Sequence, residues 1–153
     1  MKKIFSMAVV IGVLTMASGA LASGTNTLTV TASVTGTCKF VSGTSTLNFG
    51  TLDPSLSSDV NGSGTTTFWC TKGTTQTLSA NNGTNWDGSK RNMKLTTGAD
   101  LIPYTLTLTP DGSTNQGPGS PRTLTISGTI LNTDYINKAA GSYSDTVTLS
   151  ITP

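Results

Sequence analysis

Few side chains in this 153-residue sequence could perform chemistry. There is no histidine, and all seven acidic residues are aspartates. That excludes histidine-based triads, histidine-ligated zinc and the usual general base near neutral pH. The aspartates are dispersed and sit mostly in turn contexts, so none pairs with another as a glycosidase acid and base. Two cysteines remain, Cys38 and Cys70, about 32 residues apart. They lack a Cys-x-x-Cys spacing and any companion ligand, which argues against redox or metal chemistry. No catalytic residue, metal or cofactor is expected.

The segment at residues 1–22 gives the cysteines a different meaning. Lys2 and Lys3 precede an apolar run from Ile4 to Met16, and Ala20-Leu21-Ala22 supplies a small-x-small cleavage site. This is a signal peptide, with the mature chain expected to start at Ser23 after export by a two-membrane bacterium. Export places Cys38 and Cys70 in an oxidising compartment, where a disulfide is the natural outcome. Closing a loop of that length is worth about 3.5–4 kcal/mol in the chain-entropy model.

From Ser23 onward seven basic residues balance seven acidic ones, so there is no electrostatic footprint for nucleic acid or an anionic membrane. Thirty threonines and sixteen serines make up 46 of those 131 residues. Threonine favours strands through its branched Cβ, and helix formers are scarce. One all-β domain of 131 residues is the expectation.

Alternation supplies the elements. Across residues 26–37, Leu28, Val30, Ala32 and Val34 alternate with Thr27, Thr29, Thr31, Ser33 and Thr35, which reads as a strand with one apolar face. Short strands are expected at residues 39–41 and 46–49, then a polar loop at 55–64 with an Asn61-Gly62 turn. Residues 65–71 form a strand with Phe68 and Cys70 opposed to Trp69, and residues 75–80 its hairpin partner. A turn-rich stretch at 81–90 leads to a short strand at 91–96. Residues 101–109 read as one strong strand, 110–121 as a loop and 122–127 as a strand, with 128–141 irregular. The chain closes on residues 145–153, where Val147, Leu149 and Ile151 alternate with hydroxyl residues. Short strands at this spacing indicate an antiparallel sandwich or barrel.

Lys90, Arg91 and Lys94 read as a solvated turn, since no other basic residues reinforce them as an anion site. Trp69 and Trp86 could stack on sugars, but packing at a subunit junction is the simpler use.

The order of elements then carries a resemblance. TLTVTASVTGTC leads to Cys38, LNFG follows at residues 47–50, and FWCTKGT surrounds Cys70. RNM at residues 91–93 precedes LIPYTLTL, and the chain ends GSYSDTVTLSITP. Over essentially the whole mature chain this resembles the spore coat protein U family, which contains pilin subunits of archaic (Csu-type) chaperone–usher pili. Pro103, just before Tyr104, departs from the pattern. The resemblance implies an incomplete immunoglobulin-like β-sandwich completed by donor-strand exchange. Residues 23–36 would be the N-terminal donor strand, carrying Leu28, Val30, Ala32 and Val34, and residues 37–153 the sandwich. Val147, Leu149 and Ile151 would edge the acceptor groove and face the chaperone. The implied partners are a periplasmic pilus chaperone, an outer-membrane usher and identical or related pilin subunits, in a surface pilus supporting adhesion and biofilm formation. Residues 27–35 read equally as the first internal strand of the same domain. A secreted spore-coat or matrix protein of this fold, or a carbohydrate-binding adhesin module, are the alternative functions.

Overall fold

The computed structural model describes residues 23–153, so the proposed signal peptide lies outside the described residues. Nine strands and one short helix follow in order. They are β1 (Cys38–Phe40), β2 (Val60–Cys70), β3 (Thr77–Ala80), β4 (Arg91–Leu95), β5 (Leu101–Tyr104), β6 (Thr107–Pro110), β7 (Arg122–Ile130), α1 (Asn132–Tyr135), β8 (Tyr143–Ser144) and β9 (Leu149–Thr152). All pairings are antiparallel. One sheet runs β1-β2-β7-β6, while β5-β4-β8 and β3-β9 make up the other side. The fold is the all-β antiparallel sandwich that alternation and the resemblance imply.

The core lies between these sheets. Phe68, Cys70, Leu124 and Ile126 are buried from β2 and β7, with Leu78, Leu149 and Ile151 packed on them from β3 and β9. A second cluster gathers Ile102, Tyr104, Ile130 and Tyr135, against Phe49, Met93 and Val147. The expected opposition of Phe68 and Cys70 to Trp69 holds, since both are fully buried and Trp69 is half-buried. Cys38 and Cys70 stand directly opposite each other in the β1–β2 register and form the expected disulfide.

Several local expectations are corrected. Asn61-Gly62 is not a turn: residues 60–70 form one eleven-residue strand. Its glycines are there for close approach. A Cβ on Gly64 would overlap the Thr46 carbonyl oxygen, and one on Gly62 would come within 2.8 Å of the Phe49 ring. Residues 46–49 therefore lie tightly along β2, but with a single bridge, Asn48 to Ser63, instead of a strand ladder.

The predicted hairpin between β2 and residues 75–80 does not form. The chain crosses to the other layer, and β3 pairs with β9. Residues 101–109 divide at Thr105 into β5 and β6, which belong to different sheets. The amide of Thr105 donates to the Thr129 carbonyl at the crossing (3.0 Å). Pro103 sits on β5, an edge strand, where its missing N–H is tolerated. Strand β7 continues to Ile130, and α1 interrupts the stretch expected to be irregular. Residues 23–37 carry no strand among the described residues, so the internal-strand reading of residues 27–35 finds no ladder.

A buried cation ties one end together. Arg122, 6% exposed, donates to Asp111 Oδ1 (2.9 Å), Gln76 Oε1 (3.1 Å) and Asn115 Oδ1 (3.2 Å), and also to the Asp111 carbonyl. Its guanidinium lies 5.2 Å from the Phe68 ring centroid. Asp111 is held well below the usual carboxylate range by the Ser113 hydroxyl, the Thr123 amide and Arg122. The long loop after β6 is thereby anchored beside the disulfide.

The close approach of residues 46–49 to β2 yields a test. Gly64→Ala should destabilise the domain by about 1–3 kcal/mol, the usual cost of overpacking against backbone that cannot yield. Urea denaturation followed by tryptophan fluorescence reads this directly. An unchanged midpoint would show that the Thr46 segment is free to move.

Candidate functional site

The C-terminal segment, residues 142–153, uses one of its two edges. The carbonyls of Ser142, Thr146 and Thr148 accept from the amides of Thr96 (2.9 Å), Thr84 (3.1 Å) and Asn81 (3.0 Å). The Thr148 amide donates to Asn81 Oδ1 (2.9 Å). These are all even-numbered residues on the segment. In an antiparallel strand the N–H and C=O of one residue share an edge, and successive residues alternate edges. The strand expected over residues 145–153 is confined to β9, so this parity turns the backbone groups of Leu149 and Ile151 to the other edge. The carbonyls of Thr146 and Thr148 carry the same alternation through Asp145 and Val147, between β8 and β9. No strand pairs there among the described residues.

Side chains follow the same parity. Tyr143, Asp145, Val147, Leu149 and Ile151 are half-buried, whereas Ser144, Thr146, Thr148, Ser150 and Thr152 are exposed. Tyr143, Asp145, Val147 and Leu149 of this row line a cleft of about 240 Å³ together with Ser45, Leu47 and Phe49, while Ile151 packs on the cluster of Phe68, Cys70, Leu124 and Ile126. Met93, Tyr104, Leu106 and Ile126 complete the lining. A second cleft of about 580 Å³ shares Leu47, Phe49, Met93 and Tyr143 and reaches Leu52, Ile102, Tyr135 and residues 138–142. The two clefts meet at Leu47, Phe49, Met93 and Tyr143, and the first forms a groove between residues 45–49 and the C-terminal segment. It exposes an apolar lining and an unpaired strand edge side by side.

Asp145 is the one charged side chain in the inward row. Its Oδ1 accepts from the Thr84 amide (2.9 Å), the Thr84 hydroxyl (2.8 Å), the Asn85 amide (3.2 Å) and Asn85 Nδ2 (3.1 Å). Its Oδ2 accepts from the Tyr104 hydroxyl (2.7 Å). Desolvation pushes this carboxyl up, but the hydrogen bonds from Tyr104 and Thr84 outweigh it and leave the group below its ordinary 3.8. The Tyr104 hydroxyl is raised by burial and by its bond to Asp145. Asn92, 1% exposed, pins the same loop from beneath by donating to Asn85 O, Asp87 Oδ2 and Lys90 O. The loop that looked merely turn-rich is thus fastened to the groove wall.

The sequence-derived residues fall in two places. Val147, Leu149 and Ile151 line or adjoin the groove as a row. Leu28 and Val30 are each 82% exposed and Val34 85% exposed; Ala32 is exposed too. Residues 34–153 form one unit, and residues 23–33 lie outside it. Arg91 does not join a free basic patch: its guanidinium donates to the carbonyls of Ala80 and Asn81. Sequence reasoning missed Tyr143 and Asp145, although the period-2 pattern of Val147, Leu149 and Ile151 extends back to them. It also missed the roles of Leu47 and Phe49. No cluster of metal-binding side chains occurs among the described residues. No helix among them is long and apolar enough to cross a membrane.

Because Asp145 has a lowered folded-state value, it stabilises the fold above its unfolded value near 3.8 and loses that contribution as the pH falls below it. Thermal melting should therefore drop below about pH 4, and Asp145→Asn should flatten the drop while lowering the melting temperature at pH 7. Parallel pH profiles for the two proteins would mean that the carboxylate does not hold the loop.

Comparison with known proteins adds the family. The crystal structure of the CsuC-CsuE chaperone–tip adhesion subunit pre-assembly complex from archaic chaperone–usher Csu pili of Acinetobacter baumannii is similar, with a TM-score of 0.45 and 21% sequence identity. The alignment covers 77% of this chain and 40% of that one, so this chain spans less than half of that chain's length. No curated protein matches the sequence. The family model for the Spore Coat Protein U domain matches residues 24–150. With nearly the whole sequence inside that match, the chain belongs to the Spore Coat Protein U domain family.

Proposed function

We propose that this chain is a structural subunit of a chaperone–usher surface pilus, completed in the fibre by the N-terminal segment of a neighbouring subunit. The observation that carries the reading is the open edge beside Val147, Leu149 and Ile151, matched by an exposed alternating segment at Leu28, Val30, Ala32 and Val34. Strand addition would satisfy the free backbone groups and cover the apolar lining at once. Burying Leu28, Val30 and Val34 contributes about 5–9 kcal/mol as an upper bound. Donor and acceptor are different surfaces, so the contact is head-to-tail and builds an open fibre.

Direction follows from where the donor segment leaves the domain. Gly36 lies beside Thr74 and Pro153, at the end where the C-terminal strand finishes. A donor parallel to that strand would bring the neighbour's body to this same end. An antiparallel donor leaves it at the opposite end, and the fibre can grow. Before assembly the same edge would be held by a strand of a periplasmic chaperone, which an outer-membrane usher exchanges for the next subunit. The role is structural, without catalysis, and the displayed fibre would serve adhesion and biofilm formation.

Val30→Asp separates this reading from an internal strand. A charge in the apolar groove is strongly disfavoured, so surface polymer should fall at least about tenfold. The disulfide-bonded subunit in the periplasm, still bound to its chaperone, should persist. Immunoblots of both pools measure this: normal polymer would refute the donor role, and joint loss of both pools would favour an internal strand.

A further inference from the structure

We propose that the donor segment of a second copy enters the groove in one register, fixed by Ala32 lying opposite Asp145, so that Val30 faces Val147 and Leu28 faces Leu149. This rests on the donor-strand reading above and adds the register and the residue that selects it.

Parity removes half of the possible registers. The free edge of the C-terminal segment presents backbone groups of odd-numbered residues, and the side chains of those residues point into the groove. An antiparallel donor pairing with them places its own directly opposite residues on the same inward face. The donor's apolar row is even-numbered, so even must stand opposite odd. A one-residue slip would turn threonines inward and Leu28, Val30 and Val34 out to water. The remaining registers differ by steps of two.

Asp145 discriminates among those. Five hydrogen bonds from Thr84, Asn85 and Tyr104 fix its carboxylate, so it cannot swing out of the way. Those donors use most of its accepting capacity, and an apolar side chain pressed against it would strip its remaining water without offering a replacement. The donor row is Leu28, Val30, Ala32, Val34, with one small member. Placing Ala32 opposite Asp145 keeps the branched side chains against Tyr143, Val147 and Leu149. A shift of two in either direction sets Val30 or Val34 against the carboxylate instead.

Cysteine cross-linking reads the register. Val147→Cys is combined in the full chain with Leu28→Cys, Val30→Cys or Ala32→Cys, and surface fibres are run on non-reducing gels. The Val30 pair should give a ladder of covalent oligomers at least fivefold stronger than either neighbour. Dominance of the Leu28 or Ala32 pair would overturn the register while leaving strand donation standing. Fibres that form with none of the three cross-linked would overturn donation to this edge altogether. Ala32→Leu supplies a second readout: polymer should fall at least tenfold with the periplasmic subunit pool unchanged. Normal polymer from Ala32→Leu would overturn the selecting role of Ala32.

Discussion

An edge of the C-terminal segment that no strand pairs among the described residues is the constraint around which this domain is arranged. The segment spends one row of backbone groups on β3, β4 and the loop between them, and no strand pairs with the other row among the described residues. Buried or apolar-flanked amides without partners are costly, so such an edge persists only if it is filled from outside or kept wet. Its side chains make the same demand, because the inward row is half-buried where a closed sandwich would bury it fully. Both deficits lie along one line, and one added strand removes them together.

The domain also prevents itself from closing the gap. The opposite wall, residues 45–49, cannot swing across, because its backbone is pressed onto Gly62 and Gly64 of β2 and its Phe49 ring also reaches Gly128 of β7. Phe49 meets Tyr104 edge-on at 6.0 Å, which joins that wall to the groove's base. The disulfide holds β1 against β2, and the Arg122 network fastens the long loop at the same end. The Arg122–Asp111 pair is the one salt bridge among the described residues, and the neutral acceptors Gln76 and Asn115 complete the partners of its guanidinium. Among the described residues, no buried side-chain polar atom lacks a partner. The open groove is therefore held open by rigid neighbours.

Much of this was legible in the sequence, and the failures have physical causes. Threonine-rich alternation indicated an all-β sandwich, and two cysteines behind a leader that reads as a signal peptide indicated the disulfide. Order of motifs carried the family. Asn61-Gly62 misled because glycine serves both turns and close approach, and only the neighbouring Thr46 and Phe49 distinguish them. The 101–109 run misled because alternation continues smoothly through Thr105 while the chain changes sheets. Residues 75–80 misled because adjacency in sequence suggests a hairpin, whereas the partner lies about seventy residues on. For the groove, Val147, Leu149 and Ile151 were visible as a period-2 row. Asp145 was not, since a charged residue on an apolar face looks like a break in the pattern until Tyr104 and Thr84 are seen to hold it.

The central claim is that an external strand fills this edge, and amide hydrogen exchange tests it most directly. The measurement is made on the Val30→Asp subunit, which cannot donate its own segment, with and without a peptide spanning residues 25–36. Without peptide, the amides of Val147 and Leu149 should exchange rapidly while that of Thr148 is protected. With peptide, protection should appear at Asp145, Val147 and Leu149 and leave Thr148 unchanged. Protection of Val147 and Leu149 before any peptide is added, or none gained at saturating peptide, would contradict the account.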